Sequence, residues 1–124
     1  MTIDMSRPQT KLRLVFDGGL VLGPGKIDLL EAIHDTGSIS AASRRTGISY
    51  RKTRHLIDAL NAAFQQPLVC SSKGGASHGG AHLTPLGQEL VARYRRVEHQ
   101  TRCSVAVHFE DFERCMADAS PQAE

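Results

Sequence analysis

The sequence predicts a mainly α domain with three short helices, a small β-hairpin and one long final helix. Three observations carry that expectation. Apolar residues recur at steps of three and four in separate stretches of the first half, each closed by a Gly or Pro. The run Lys73–Gly80 (KGGASHGG) holds four glycines between two short apolar segments, as a hairpin tip does. After Gly87 there is neither Gly nor Pro up to residue 117, so nothing interrupts a last helix.

Residues 1–10 (MTIDMSRPQT) are polar and read as a flexible arm. Residues 11–22 (KLRLVFDGGLVL) alternate apolar and polar side chains and turn at Asp17-Gly18-Gly19, a strand-turn signal. A first helix is expected over 25–36, with Ile27, Leu30, Ile33 and His34 at helical spacing and Gly37 as its stop. Ser38 has the chemistry of the next N-cap. Ala41 and Ala42 give that helix a small face for close crossing, and Gly47 ends it. Ser49 opens a third helix to about Gln65, with Tyr50, Thr53, Leu56, Ile57, Leu60 and Phe64 on one face, and Pro67 beyond. Residues 67–72 and 81–84 read as paired strands around the glycine run. Thr84-Pro85 is a helix start in the preferred order, N-cap then Pro. The apolar stripe from Leu86 through Tyr94, Val97, Val105, Phe109 and Phe112 to Met116 is longer than one small domain can cover, so a second copy of the helix is the expected cover.

The fold class is therefore mainly α: a winged helix-turn-helix domain over 11–84, a long dimerisation helix over 85–117 and a disordered tail over 118–124. The 124 residues suit one domain with a modest core, and 40% hydrophobic content argues against wholesale disorder. No apolar run approaches the roughly 20 residues of a membrane span, and no export signal is visible. Three irregularly spaced cysteines (Cys70, Cys103, Cys115) are no disulfide framework and fit a reducing cytoplasm.

Charge placement points to a partner. Between Thr36 and Gln88 the only acidic residue is Asp58, against Arg44, Arg45, Arg51, Lys52, Arg54, Lys73 and three histidines. From Cys103 on, five acidic residues face only Arg114. A basic middle and an acidic end fit a middle that meets a polyanion. Residues 38–64 have the mechanics of helix-turn-helix recognition, with Ser49, Tyr50, Arg51, Lys52 and Arg54 at the start of the second helix, where a major groove is read. Arg can pair with guanine O6 and N7, and hydroxyls reach bases or phosphates. Ser38, Ser40 and Arg44 suit a phosphate at the preceding helix. Lys73, Ser77 and His78 in the glycine loop suit a phosphate backbone or minor groove. A nucleotide cradle is the alternative for that loop, but no G-x-x-x-x-G-K-[ST] string and no βαβ context accompany it.

Residues 12–96 resemble the amino-terminal DNA-binding domain of the molybdate-responsive ModE regulator family, related to LysR-type winged-helix domains. GKIDLLEAIHDTGSISAASRRTGISYRKTRHLIDALN, PLV, the KGG…GGA loop and LTPLGQELVARYR carry the resemblance. It implies a homodimer through the long helix and operator binding on double-stranded DNA by the helix that begins at Ser49. Ser49, Tyr50, Arg51 and Lys52 match the family's recognition-helix start, and Lys73–Gly80 its wing. Molybdate-sensing members carry a further β-rich oxyanion-binding region. The segment after Arg102 has no room for one, so the expectation is a DNA-binding form without its own molybdate sensor and with no cofactor.

Four further readings have less support in the residues. His99 and Cys103, four apart on the last helix, could contribute to a soft-metal or redox response, but two ligands are not a site. A protein-interaction module would not need a surface almost free of carboxylates. RNA binding has only Tyr50 as a stacking platform. An enzyme is not expected: Asp28, Glu31 and Asp35 read as a solvated helix face, and no nucleophile–base set stands out.

Overall fold

A computed structural model describes residues 9–72 and 80–117. The chain order is β1 (Leu14–Val15), β2 (Val21–Leu22), α1 (Pro24–Thr36), α2 (Ile39–Thr46), α3 (Tyr50–Ala62), β3 (Val69–Ser71), β4 (Ala81–Leu83) and α4 (Pro85–His108), with a 3-10 turn at Phe112–Cys115. Each helix start is chemically determined. Pro24 and Pro85 occupy first turns, where a missing N–H costs nothing. The hydroxyls of Ser38, Ser49 and Thr84 accept the N–H groups of Ala41, Lys52 and Gly87.

The two hairpins are antiparallel. Leu14 pairs with Leu22 and Val15 with Val21 in the first. In the second, Val69, Cys70 and Ser71 face Leu83, His82 and Ala81. This second hairpin is stitched to the helices: Ala81 N–H donates to the carbonyl of Gly37, the turn between α1 and α2, at 2.9 Å. Leu22, Ile27, Leu29, Leu30, Ile33, Ala42, Ile57, Leu60, Leu68, Leu83 and Tyr94 form one core shared by every helix and both hairpins.

Side chains fix the elements relative to one another. Asn61 on α3 accepts the N–H groups of Leu68 and Val69 at 2.8 and 3.1 Å and donates to the Val69 carbonyl at 3.0 Å, pinning β3 to α3. Tyr94 is 2% exposed and donates its hydroxyl to the carbonyl of Leu12 at 2.6 Å. Gly87 sits where α4 crosses the Leu68 carbonyl so closely that a Cβ would lie 2.3 Å from that oxygen.

Three expectations are corrected. Helix α4 ends at His108 rather than near residue 117. The apolar pattern continues, but Phe109, Phe112 and Met116 are 47%, 58% and 65% exposed, so no burial supports further turns. Glu110 and Asp111 add negative charge where the helix dipole is already negative. Likewise Asp28, Glu31 and Asp35 are not merely solvated. Asp28 and Glu31 bind Arg95 of α4, and Asp35 binds Arg45 of α2 at 3.1 Å. Helix α3 also stops at Ala62, short of Gln65, and Phe64 folds back onto the core. Of the arm, residues 1–8 lie outside the described residues, as does the tail 118–124.

Candidate nucleic-acid interface

The site is built by the turn between α2 and α3. Gly47 adopts φ 75°, a left-handed conformation that costs a side-chain-bearing residue energy, and its N–H closes α2 on the Ser43 carbonyl at 3.0 Å. Ile48 donates to the same carbonyl at 3.2 Å, so the chain reverses within three residues. Buried Ala42 and Ser43 allow α2 to approach α3, whose Thr53, Ile57 and Leu60 face inward. Once that face is buried, the helical repeat leaves Arg51, Lys52, His55 and Asp58 on the outside.

Ser49, Arg51, Lys52, Arg54, His55 and Asp58 line a shallow open groove along α3. The first turn of α3 contains no acidic residue, so its positive dipole end is uncompensated. Arg51 and Lys52 are exposed, and neither side chain has an ion pair or hydrogen bond among the described residues. Tyr50 is 53% exposed beside them, not on the buried face where the apolar spacing placed it, because only Thr53, Ile57 and Leu60 of α3 turn fully inward. Arg54 leans on Asp58 at 3.7 Å, one turn on. Ser49 spends an acceptor site on its cap but keeps its hydroxyl proton.

The predicted residues of α2 are placed less uniformly. Ser40 is exposed and accepts from Arg44 at 3.0 Å, so these two stand together at the surface. Ser38 is half-buried and its oxygen is committed to the Ala41 N–H. Its N–H donates to Thr36 Oγ1 at 3.3 Å. Ser38 is thus a structural cap, with little left to offer an anion through its backbone. Lys73, Ser77 and His78 lie outside the described residues. The described base of the hairpin ends at Ser72, whose N–H donates to Gly80 O at 2.8 Å. His55 was missed as a site residue. Its spacing of four from Arg51 on an amphipathic helix was the available signal.

The His–Cys pair of the last helix falls elsewhere. His99 Nε2 and Cys103 Sγ are 3.6 Å apart and exposed on α4. They lie on the side of the helix opposite Tyr94, away from the line continued by Val97, Val105 and Phe109. Among the described residues no three His, Cys, Asp or Glu side chains gather as a metal site, and no helix is long and apolar enough to cross a membrane.

A helix pair closed by a glycine turn, backed by a third helix and flanked by a two-stranded hairpin, defines a winged helix-turn-helix module of the transcription-regulator class. The chain belongs to the bacterial regulatory helix-turn-helix proteins of the lysR family, whose model matches residues 25–88. It is 39% identical over 98 residues to the molybdenum-pterin-binding protein MopB of Rhodobacter capsulatus, covering 79% of this chain and 35% of that one. It is 39% identical over 88 residues to the molybdenum transport protein ModE of Azotobacter vinelandii (71% and 33% covered). Against the DNA-binding transcriptional dual regulator ModE of Escherichia coli it is 37% identical over 83 residues (67% and 32% covered). The chain thus spans about a third of the length of these relatives. In fold it is similar to BpsR of Bordetella bronchiseptica, with TM-score 0.53, 24% identity and 82% and 71% of the two chains covered. It is also similar to a LysR family transcriptional regulator, VV2_1132, with TM-score 0.51, 23% identity and coverage of 79% and 31%.

Proposed function

We infer that this chain binds double-stranded DNA sequence-specifically as a homodimer and regulates transcription in the cytoplasm, with no catalytic activity of its own. The observation that carries this is the pair of cations Arg51 and Lys52, without an ion-pair partner among the described residues and exposed at the carboxylate-free start of α3. Tyr50 and Arg54 flank them at base-reading positions, with Ser49 against the backbone. Ser40 and Arg44 contact a phosphate from α2, and Ser38 orients that helix. Lys73, Ser77 and His78 serve as the wing's contacts to backbone or minor groove. The likeness to proteins named as ModE regulators supports this assignment.

The dimer reading rests on α4. Its first half is covered by the domain through Leu86, Leu90, Val91 and Tyr94. Beyond it on the same face, Val97 is 40% exposed, and Phe109, Phe112 and Met116 follow at 47%, 58% and 65%. A second α4 is the cover proposed here, which sets two α3 helices about one or two duplex turns apart.

Fragments retained from genomic DNA provide the test. Binding should weaken steeply as salt rises, and Lys73→Ala should shallow the salt slope by about one unit across all sequences. Salt-independent retention, or none, would sink the assignment and favour a protein-docking role.

A further inference from the structure

The geometry points to Arg95 as a positioning residue that sets the angle at which α4 leaves the domain, and with it the half-site spacing a dimer accepts. This rests on the dimer reading above.

Arg95 lies where α4 stops being covered. On the domain side its neighbour Tyr94 is buried and tied to Leu12. On the far side α4 is progressively exposed. Its guanidinium binds Glu31 of α1 with two bonds, Nε at 3.0 Å and Nη2 at 2.7 Å. Nη2 also reaches Asp28 of α1 at 2.7 Å, and Nη1 reaches Glu98 of α4 at 3.0 Å. Arg102 approaches the same Glu98 carboxylate at 3.9 Å from the outer side. One planar group therefore holds two carboxylates a turn apart on α1 and one on its own helix.

Such a fork fixes direction as well as distance, which an ammonium could not. The Arg95 side chain is 31% exposed, and Asp28 and Glu31 are 58% and 41% exposed. Pairs this wet contribute little to stability. Their directional effect is larger, because α4 is a lever. Thirteen residues separate Arg95 from His108, about 20 Å of helix. A swing of about 10° moves the tip by roughly 3.5 Å, close to the rise of one base pair. Losing the clamp should therefore blur spacing by about one base pair in each direction.

Spacing selectivity tests this directly. Duplexes carrying two selected half-sites, separated in single-base-pair steps, are titrated with wild type, with Arg95→Met, and with the double variant Asp28→Asn/Glu31→Gln. Wild type should prefer one spacing by about tenfold or more, and both variants should flatten the preference to within about threefold. Affinity for one isolated half-site should stay unchanged. Combining the two sets should add nothing, as for groups acting as a unit. Folded variants that keep the wild-type preference would overturn the clamp. A second readout needs no dimer: the distance between spin labels at Ala59 of α3 and Val107 of α4, in a cysteine-free background. Arg95→Met should broaden that distribution by several ångströms. If wild type shows no spacing preference, the dimer reading fails by itself. The label distances then decide the clamp, and an unchanged width overturns it.

Discussion

Replacing Gly87 with Ala separates tertiary contact from intrinsic helix preference, because the two demand opposite signs. Gly87 lies in the first turn of α4 and is buried. Helix propensity alone would make Ala better there by about 1 kcal/mol. The structure places the added Cβ 2.3 Å from the Leu68 oxygen and 3.1 Å from its carbonyl carbon. Both neighbours are backbone, so no side chain can swing away, and α4 must retreat from β3. Overpacking of this kind costs about 1–3 kcal/mol. The retreat also strains the bonds made by Thr84, N–H to the Leu68 oxygen at 2.9 Å and hydroxyl to the Pro67 oxygen at 2.8 Å. Weakening them adds about 1 kcal/mol. The net expectation is a loss of about 1–3 kcal/mol, or very roughly 5–10 °C in Tm for a chain of this size. Urea titration followed by circular dichroism measures it. A Gly87→Ala protein as stable as wild type, or more stable, would show that the close approach of α4 to Leu68 is not a feature of the fold.

Three further outcomes are expected. Asn61→Ala should cost about 2–4 kcal/mol, since it removes three hydrogen bonds and orphans the N–H groups of buried Leu68 and Val69; a loss of unfolding free energy in urea titration under half that would refute the clamp on β3. Burial, followed by the nearby Glu98 carboxylate, holds the Tyr94 hydroxyl above its ordinary value of 10. A group whose folded value is raised stabilises the fold fully below its unfolded value and loses that stabilisation as pH climbs through the folded one. Stability should therefore fall above about pH 10, and Tyr94→Phe should flatten that alkaline limb in pH-dependent melting. Hydrogen bonds from Arg95 hold the Glu31 carboxyl below its ordinary value, against the opposing effect of burial. Its contribution is present above the unfolded value and lost as pH drops through the folded one, so Glu31→Gln should shallow the acid limb of the same profile by a small amount, as a half-exposed pair allows, and a steepened limb would contradict the pairing.

Local chemistry was legible and long-range chemistry was not. Ser38, Ser49 and Thr84 announced their helices because a cap acts on N–H groups two or three residues away. Gly47 announced the turn because its φ is a property of one residue. The exposed row on α3 followed once its apolar face was known. Periodicity tells which face is buried but not against what. It therefore could not foresee Tyr94 reaching Leu12, Arg95 reaching Asp28 and Glu31, or Gly87 meeting Leu68. Acidic residues at helical spacing on α1 looked like a solvated face until an arginine 64 positions away was brought to them. The same limit explains the overlong last helix. Phe109, Phe112 and Met116 keep the rhythm of a buried stripe, yet no other part of the described chain covers them.

Affinity of Arg51→Ala for the preferred duplex and for random duplex, measured side by side at one fixed salt concentration, probes the central claim most directly. The account predicts a loss of about 1–3 kcal/mol on the preferred duplex, with random duplex weakened far less. Equal losses on both duplexes, or no loss on either, would mean that the start of α3 does not read base pairs.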